Sequence, residues 1–551
     1  MTVARVKPLL LVLLAAAVIP FFVSLGAASI WDANEAYYVE TPREMIESGN
    51  YINPTFNYEP RFNKPVLSYW IVAGMYHLFG VSVAVQRLAI AAMAMVMIIA
   101  AWFIARAVST QPLAPLLAAL GLAAGPRFFM FSRRIMVDMA VTAMMTLTLL
   151  FFVLAERYPE RRRLFLALMY VAVGVGVLTK GPVAAVIPAL VFAVYLAVHR
   201  ELPRVREMMI PTGIFIALAI VAPWYIALYM QNGWTHIHEF FIGENVGRFT
   251  ETIGTQSRGP FFYLPVVFHD ALPWSFCLPA VVAAWWRDSR DGERSADRRL
   301  RTLLLLWIAV PVVFFSFSQT KQDLYVFPIV TAIAALGADW LARAVRGGFN
   351  RWLAGTLTAI GVALILLGGA VMFAFGGEGT PYAIEGAYSS ALIAIAGGFI
   401  VALAPWWRRY HLAMVTVLVV LIAFNWILAV RALPAFERYK PARALAEVIA
   451  SRAQPDDVVA HLDMAMPSMV FYLRRHIEMA FDGESLAQLV RSDRRVFAVL
   501  SADRYEEVKG MLGVETCVVA RHATADIKLR TLIQRAAPPE VLVITNRCPA
   551  L

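Results

Sequence analysis

The sequence has 551 residues, of which 60% are hydrophobic and 16% are charged, with a formal net charge of +11. Soluble domains average about 45–50% apolar and about 25% charged residues, so this composition excludes a soluble globular protein. Apolar runs of about 20 residues, long enough to cross a bilayer core as helices, recur between Pro8 and Val430. The sequence therefore predicts a mainly α-helical, polytopic membrane protein.

Thirteen membrane spans are predicted from these runs. They cover residues 8–30, 82–107, 112–131, 135–155, 163–179, 182–199, 208–230, 262–286, 302–318, 324–343, 353–374, 388–405 and 411–430. The first run follows Arg5 and Lys7 as in a signal peptide, but its apolar length favours an uncleaved anchor. A shorter run over 65–79, rich in Tyr and Trp, is predicted to be a helix at the membrane surface.

Positive charge is distributed unevenly between the short loops, and the positive loops of a membrane protein face the cytoplasm. A cytoplasmic N-terminus places most of these charges inside and leaves the C-terminus outside. The cytoplasmic set then includes Arg157, Arg161, Arg162, Arg163, Arg204, Arg298, Arg299, Arg301, Arg408 and Arg409. Membrane topology thus accounts for the basic character of the chain, and we expect no nucleic-acid partner.

The composition changes after Val430, where charged residues return and short β-rich runs such as 458–462, 496–500 and 541–544 alternate with helical segments. This pattern predicts a transmembrane domain over 1–430 and a small external α/β domain over 431–551. Cys517 and Cys548 would pair if their strands are neighbours, and two free thiols fit equally well. Cys277 lies in an apolar run and is expected to be a small core residue.

The first external loop carries two carboxylates, Asp32 and Glu35, directly after an uncharged span. On a helix their spacing would place both on one face, available to a proton, a cation or a metal ion. They would equally well cap and solvate the start of a surface helix. The loops over 31–81 are therefore predicted to contain surface helices and candidate acidic groups.

Cationic side chains gather in four of the predicted external loops, at the depth of lipid phosphates. They are Arg61 and Lys64, then Arg127, Arg133 and Arg134 near Asp138, then Lys180, and finally Lys321 near Tyr325. Cations at this depth suit phosphate groups, although interfacial snorkelling or pairing of Asp138 with a neighbouring arginine would also explain them. Together they predict an anionic partner.

The long external segment 231–261 has the length and glycine content of a mobile lid, and it carries Glu244, Arg248 and Arg258. Four further side chains could bind a divalent cation, although their spacing matches no sharp metal template. These are Glu59, His236, His238 and His269.

In this order, on a thirteen-span frame, these residues resemble the C-type membrane glycosyltransferases that use polyprenyl-phosphate sugars. The resemblance is to the lipid A aminoarabinose transferase branch, beside the protein O-mannosyltransferases. It is carried by Asn34-Glu35 with Tyr38, Arg61-Phe-Asn-Lys64-Pro, Asp138, Thr179-Lys180-Gly, Glu244 to Arg248-Phe, Arg258-Gly-Pro-Phe, Leu272-Pro-Trp274, and Ser318 to Pro328. The chain departs from the pattern at Asn34, where the family usually has Asp, and at Asn63, where related transferases often have Glu.

The resemblance implies an inverting transfer of 4-amino-4-deoxy-L-arabinose from undecaprenyl phosphate to lipid A phosphate, as in polymyxin resistance. It implies an enzyme of the bacterial inner membrane whose site faces the periplasm, with no cofactor required apart from a possible divalent cation. Its implied catalytic residues are Asp32, Glu35 and Asp138; donor-phosphate residues are Arg61, Lys64, Lys180, Arg248, Lys321 and Tyr325; acceptor or lid residues are Tyr38, Arg134 and Arg258.

Two other functions compete with this one. The same enzyme class would glycosylate protein hydroxyls or another glycan, but a hydroxyl needs a base whereas a phosphate is already ionised, so Asn34 favours the lipid acceptor. A lipid transporter or flippase would show repeated halves and charges near the bilayer centre. The chain has no convincing internal repeat, and its external charges lie at span ends.

Overall fold

The computed structural model describes residues 3–32, 34–134, 136–250, 258–290, 296–347, 350–377 and 380–548, with side chains from residue 7 onward except at 245, 246, 248, 289 and 290. The membrane part is helical. Its helices are α1 Val3–Val18, α2 Ala36–Ser48, α3 Leu67–Phe79, α4 Val83–Val108, α5 Ala114–Ala124, α6 Pro126–Phe131, α7 Met136–Arg157, α8 Arg162–Lys180, α9 Val183–Val198, α10 Ile210–Asn232, α11 Thr235–His238, α12 Arg248–Thr250, α13 Tyr263–Asp270, α14 Leu278–Arg290, α15 Ala296–Ser316, α16 Val330–Arg346, α17 Arg351–Phe375, α18 Ala387–Leu403 and α19 Tyr410–Ile427.

The predicted apolar runs all form helices in the described part of the chain. Nine helices there are long and apolar enough to cross a membrane, and α13 with α14 adds a pair bent by 111°. The break falls before Pro273, which has no N–H to donate to a continuous helix. Three predicted spans are shorter apolar helices, at Lys7–Phe21, α5 and α9. The mainly helical fold class is confirmed, and the number of thirteen spans stays a prediction.

Small residues allow the helices to approach closely. A Cβ on Gly361 of α17 would lie 2.6 Å from the carbonyl oxygen of Gly398 on α18. A Cβ on Gly121 of α5 would lie 2.2 Å from the Trp274 side chain, which fills the space at the α13–α14 break. Such close packing is the usual source of helix association inside a membrane.

The charged ends of the helices separate into two groups, as the predicted topology requires. Residues from different predicted cytoplasmic loops pair with one another at one end of the bundle. The pairs are Arg157–Asp297 at 2.8 Å, Arg204–Glu156 at 2.9 Å and Arg299–Glu201 at 2.6 Å. The predicted external segments likewise contact each other, and the C-terminal domain lies among them.

The segment between the first two long spans forms a small layer of its own. It contains α2, a hairpin of β1 (Thr55–Phe56) and β2 (Glu59–Pro60), and α3. The predicted helix over 65–79 is α3, which has 13 residues. At a rise of about 1.5 Å per residue, it is too short to cross a bilayer core of about 30 Å.

The C-terminal part is an α/β domain, in agreement with the sequence pattern. Its strands are β3 Val458–Leu462, β4 Glu478–Ala480, β5 Val496–Ser501, β6 Cys517–Ala523 and β7 Glu540–Thr545, in the sheet order β4-β3-β5-β7-β6. Parallel pairs join β4, β3 and β5, and antiparallel pairs join β5, β7 and β6. The helices are α20 Leu433–Ala435, α21 Pro441–Ala450, α22 Ser468–Leu473, α23 Gly483–Val490, α24 Ala502–Val508 and α25 Leu529–Ile533.

The cysteine pairing that the sequence left open is resolved by the sheet. Cys517 begins β6, and its register partner is Thr545 at the end of β7. Cys548 follows β7 by three residues, and the two cysteines form a disulfide. Cys277 is buried as a free thiol, as predicted.

Candidate active site

An ion pair between Asp138 and Lys180 lies at the external end of the bundle. Asp138 is in the first turn of α7, and Lys180 is the last residue of α8. Because these two neighbouring helices run in opposite directions, the start of one lies beside the end of the other. The Lys180 ammonium donates to Asp138 Oδ1 and lies 5.5 Å from the centre of the Tyr325 ring. Both charged side chains remain partly exposed, at 17% for Lys180 and 14% for Asp138.

A second lysine–carboxylate pair joins the surface layer to the predicted lid. Lys64 Nζ lies 3.0 Å from Glu244 Oε2, and the Asn63 amide donates to Glu244 Oε1 at 3.1 Å. Glu244 lies in a π-helical turn, Glu239–Gly247, after α11. Asn63, which departs from the family pattern, therefore orients a carboxylate supplied by another segment.

Tyr38 belongs to the same external layer as Lys64. It is buried in α2 and stacks on Tyr69 of α3 at a ring separation of 5.3 Å. The charges of Asp138, Glu244 and Arg61 all act on its hydroxyl group. Burial raises the pKa of Tyr38 well above its usual value, so the phenol stays protonated and available as a hydrogen-bond donor.

Arg61 is held at the same place by aromatic rings. Its guanidinium carbon lies 3.6 Å from the centre of the Tyr37 ring, and its backbone N–H donates to Pro54 O in the hairpin. Its buried Nε has no hydrogen-bond partner among the described residues. The cation is therefore positioned by stacking, with hydrogen-bonding capacity left for another group.

Glu35, predicted from the sequence to be an available acidic group, is fully buried against Arg87. Arg87 Nε donates to Glu35 Oε1 at 2.7 Å, and Arg87 Nη2 donates to Oε2 at 2.9 Å. The Trp31 backbone N–H donates to Oε2 as well, and the Glu35 side chain is 0% exposed. Arg87 also donates to the carbonyls of Leu25, Ala28 and Ser29. Glu35 therefore anchors the first loop, and no free face of its carboxylate points into the site.

Arg87 is a residue that the sequence reading missed. It lies in α4, inside the predicted span 82–107, whose other residues are mostly apolar. A charged residue within a span needs an internal partner, so its presence was itself a signal. The first external loop offers two carboxylates as partners for this arginine, Asp32 and Glu35, and the structure pairs it with Glu35.

Asp32 contacts the C-terminal domain. Its Oδ1 accepts the backbone N–H of Ser468 at 2.7 Å, and two residues that precede it in the chain make similar contacts. Ser29 N–H donates to Glu437 at 2.9 Å, and Ile30 N–H donates to the Tyr472 hydroxyl at 2.9 Å. The first loop is thus fixed to the C-terminal domain on one side and to α4 on the other.

The predicted external arginines have different partners. Arg127 pairs with Asp270 at 3.2 Å and with Asp323. The alternative in which Asp138 pairs with a neighbouring arginine is wrong for the described residues, because Lys180 at the end of α8 pairs with this carboxylate. Arg258 donates to Lys321 O at 2.9 Å, so these two predicted residues meet through the backbone, at the end of the 231–261 segment.

The predicted metal ligands are not brought together. Among the described residues no group of three or more His, Cys, Asp or Glu side chains is arranged to hold a metal ion. His236 stacks on Phe62 at 4.2 Å, and His269 Nδ1 bonds to Asp270 at 2.9 Å, while Glu59 and His238 are exposed. The predicted metal set of Glu59, His236, His238 and His269 is therefore wrong. His236 has an aromatic partner and His269 a carboxylate partner instead. The side chain of Arg248 lies outside the described residues, as do residues 251–257 of the predicted lid.

The fold is shared with solved structures of ArnT. The crystal structure of ArnT from Cupriavidus metallidurans bound to undecaprenyl phosphate matches with a TM-score of 0.78 and 23% identity, over 98% of each chain. Its apo form matches with a TM-score of 0.77 and 22% identity. The fold class predicted from the motifs is thereby confirmed over nearly the whole chain.

The sequence is also similar to proteins named as aminoarabinose transferases. It is 30% identical to the undecaprenyl phosphate-alpha-4-amino-4-deoxy-L-arabinose arabinosyl transferase of Pectobacterium carotovorum. The aligned 364 residues cover 63% of this chain and 63% of the relative. It is 27% identical over 423 residues to the Aeromonas salmonicida protein of that name, spanning 74% of this chain and 75% of the relative. Residues 63–226 match the family described as dolichyl-phosphate-mannose-protein mannosyltransferase. These findings confirm the resemblance stated from the motifs.

Proposed function

We propose that this protein is an inverting glycosyltransferase that moves 4-amino-4-deoxy-L-arabinose from undecaprenyl phosphate to a phosphate group of lipid A. The observation that carries the proposal is the pair of partly exposed lysine–carboxylate contacts at the external end of the bundle, Lys180 with Asp138 and Lys64 with Glu244. The names of the related arabinosyl transferases support the sugar and its carrier lipid.

The donor half of the reaction needs charge stabilisation more than acid catalysis. When the bond between the sugar C1 and its phosphate oxygen breaks, negative charge grows on the leaving phosphate, and fixed cations lower the energy of that state. Lys64, Lys180 and Arg61 carry three positive charges against the two carboxylates Asp138 and Glu244, which leaves one net positive charge. A lysine has three N–H donors, so Lys180 can keep its bond to Asp138 and still donate to a phosphate oxygen.

The acceptor half needs orientation and no strong base. A phosphate of lipid A is ionised near neutral pH, so its oxygen can attack C1 directly from the face opposite the leaving group, with inversion. The burial of Glu35 against Arg87 supports this assignment, because the first-loop carboxylate is not free to take a proton. The two carboxylates at the site, Asp138 and Glu244, position Lys180 and Lys64.

We propose that no cofactor takes part. A phosphate leaving group and an already ionised nucleophile need neither a redox group nor a Lewis acid to react. We also propose that the site and the C-terminal domain face the periplasm of a bacterial inner membrane. The distribution of short-loop positive charge supports this orientation, and so does the Cys517–Cys548 disulfide, since disulfides persist in oxidising compartments.

A hydroxyl acceptor on a protein or another glycan is the second candidate, favoured by the mannosyltransferase match over 63–226. It would need a general base near the sugar. Asp138 is the carboxylate best placed for that role, but its Oδ1 already accepts the Lys180 ammonium. The phosphate acceptor is therefore the better fit to these side chains.

The test is transfer by the purified full-length protein in detergent, with synthetic undecaprenyl-phosphate aminoarabinose and lipid A. Addition of the sugar to lipid A phosphate, read by mass spectrometry, is the expected result. Modification of exported proteins with unmodified lipid A, compared between cells with and without the gene, would favour the hydroxyl acceptor. A protein that moves lipid across vesicles but forms no product in detergent would be a transporter.

A further inference from the structure

The β6–β7 connection of the C-terminal domain, residues 524–539, exposes several large apolar side chains. In its short helix α25, Leu529 is 71% exposed and Ile533 is 64% exposed. Residues four apart in a helix lie on the same face, so these two side chains form one apolar stripe. Ile527, just before the helix, is exposed as well. Apolar side chains exposed together in this way mark a surface that contacts another molecule or a membrane.

The same connection is basic. Lys528, Arg530 and Arg535 accompany a single carboxylate, Asp526, so three positive charges and one negative charge give a net charge of +2. All three basic side chains are exposed. Exposed apolar residues interleaved with Lys and Arg are typical of segments that lie in the interface of an anionic bilayer.

Hydrogen bonds hold the β6–β7 connection against the membrane part. Tyr382 lies between α17 and α18, two helices long and apolar enough to cross a membrane. The Tyr382 hydroxyl accepts the Asp526 backbone N–H at 3.0 Å and lies 3.2 Å from Asp526 O, to which it donates. The Tyr382 ring is buried and contacts Tyr439, which follows the last span, at 5.2 Å. Asp526 is therefore fixed beside the external ends of membrane helices.

The apolar stripe lies close to this fixed point. Leu529 follows Asp526 by three residues, so its Cα lies within about 11 Å of the Asp526 Cα. The Thr531 hydroxyl lies 2.8 Å from Asp526 O and accepts the Lys528 backbone N–H at 3.0 Å, which ties α25 to the same residue. Interfacial helices bury their apolar face about 5–10 Å into the boundary between headgroups and acyl chains. The stripe is therefore within reach of the bilayer surface.

Both edges of the C-terminal sheet contact the membrane part. At one edge, the Asn57 amide in the turn of the β1–β2 hairpin donates to Ile477 O, directly before β4, at 2.9 Å. At the other edge, the β6–β7 connection contacts Tyr382. Since β4 and β6 are the outermost strands of the sheet, the domain lies across the external end of the bundle. The β6–β7 connection then lies at the edge away from the hairpin.

We propose that the β6–β7 connection rests on the external surface of the membrane and binds anionic phospholipid headgroups. Ile527, Leu529 and Ile533 insert among the headgroups, while Arg530 and Arg535 contact lipid phosphates. The connection thereby holds the outer edge of the C-terminal domain to the leaflet that the site faces. This inference goes beyond the proposed function and does not depend on it, because it concerns neither the sugar nor its acceptor.

The charge of the connection favours a lipid surface over a second copy of the chain. A closed two-fold contact brings a surface against the same surface of its partner. Two connections of charge +2 would repel each other, whereas phosphates of an anionic bilayer attract both.

The test measures the depth of a spin label on the full-length protein in nanodiscs that contain phosphatidylglycerol. Cys277 is buried and Cys517 is paired with Cys548, so an introduced cysteine is the accessible thiol. The labelled variants are Leu529→Cys and Ile533→Cys. Oxygen concentrates in the bilayer and a water-soluble nickel chelate does not, so the ratio of their collision rates with the label reports depth.

The control label is Glu507→Cys, an exposed position on α24. Helices α23 and α24 pack on the opposite face of the sheet from α21 and α22. For both labels in α25 we expect an oxygen-to-nickel ratio about fivefold or more above that of the control, as for apolar side chains below the headgroups. A ratio equal to the control would overturn the proposal. Protection of the α25 labels from both reagents would also overturn it, since that result indicates a protein contact such as a second copy.

Charge variants test the anionic headgroups. With the label at Leu529→Cys, the double variant Arg530→Gln with Arg535→Gln should lower the oxygen-to-nickel ratio at least about twofold. Nanodiscs of phosphatidylcholine alone should lower it similarly. The matched control, Arg504→Gln with Lys509→Gln, removes two positive charges in and directly after α24 and should leave the ratio unchanged. A ratio that neither the arginine variant nor the lipid change alters would overturn the assignment of anionic headgroups. Because the readout is depth, a failure of sugar transfer by the same protein would count against the proposed function alone.

Discussion

Glu35 and Arg87 form a buried, two-pronged ion pair, with N–O distances of 2.7 and 2.9 Å, between the first external loop and α4. The exposed fraction is 0% for the Glu35 side chain and 4% for that of Arg87. The carboxylate to which the family resemblance assigned a catalytic role therefore anchors the first external loop to α4. A structural and a catalytic role for Glu35 make different predictions.

Removing one partner of this pair should destabilise the protein. Arg87→Ala leaves a buried carboxylate without its cation, and such a change costs about 3–5 kcal/mol of stability. The measurement is thermal unfolding of the purified protein in detergent. The double variant Glu35→Gln with Arg87→Met should recover much of the loss, because neither charge remains. A Glu35→Gln variant with unchanged unfolding and no activity would instead assign catalysis to Glu35.

Replacing the site lysines should slow the reaction. For Lys180→Met and Lys64→Met we expect about 10²–10³-fold lower kcat, the range observed when a donor to a developing oxyanion is removed. Donor and acceptor KM should change less, since the lost interaction strengthens as the phosphate leaves. The matched control is Lys509→Met, which removes a lysine from the exposed pair with Glu506. Full transfer by either site variant would contradict the leaving-group role.

The surface helix α2 should make stability depend on pH. Burial raises the pKa of Glu44 to about 7, with a further contribution from Glu40. An unfolded glutamate has a pKa near 4.3, so between these values the folded protein binds the extra proton. This contribution is fully present below the unfolded pKa and is lost as the pH rises through about 7. Unfolding temperatures from pH 4.5 to 8 should show the decline, and Glu44→Gln should flatten it. An identical pH profile for Glu44→Gln would remove Glu44 as the cause.

Chelation should leave activity unchanged. The proposed reaction uses a phosphate leaving group and an ionised acceptor, which need no Lewis acid. Transfer rates with and without EDTA, on protein treated before assay, are the measurement. Loss of transfer that Zn²⁺ or Mg²⁺ restores would show that a cation takes part, and His236→Ala with His269→Ala would test the ligands predicted from sequence.

The disulfide should stabilise the C-terminal domain. It joins cysteines 31 residues apart, and closing a loop of this length is worth about 3–4 kcal/mol in the chain-entropy model. The double variant Cys517→Ser with Cys548→Ser should therefore be cleaved faster by protease after β5, while the membrane part stays intact. Ser275→Ala, far from this domain, is the control. Equal cleavage rates would show that the sheet alone holds the C-terminal segment.

Much of the site could be found from the sequence because its residues lie at the ends of apolar runs. The sequence places Asp138 in a cluster with three arginines and Lys180 alone at another external turn, and the structure pairs the two with each other. Lys64 was recognised in the same way, but its partner Glu244 is 180 residues away, and no local pattern relates the two. The predicted metal set failed for a similar reason, since spacing along the chain does not tell which of the histidines face each other.

The sequence by itself determined the class of molecule, the apolar helices, the two charged faces and the C-terminal α/β domain. These follow from hydropathy, loop charge and strand patterns, which act over a few residues at a time. Only the tertiary structure decided that Arg87 encloses Glu35, that Asn63 orients Glu244, and that Arg133 and Arg134 share a pocket with Trp31. Each of these depends on helices and loops far apart in the chain packing side by side, where a buried charge must find whatever partner the packing brings to it.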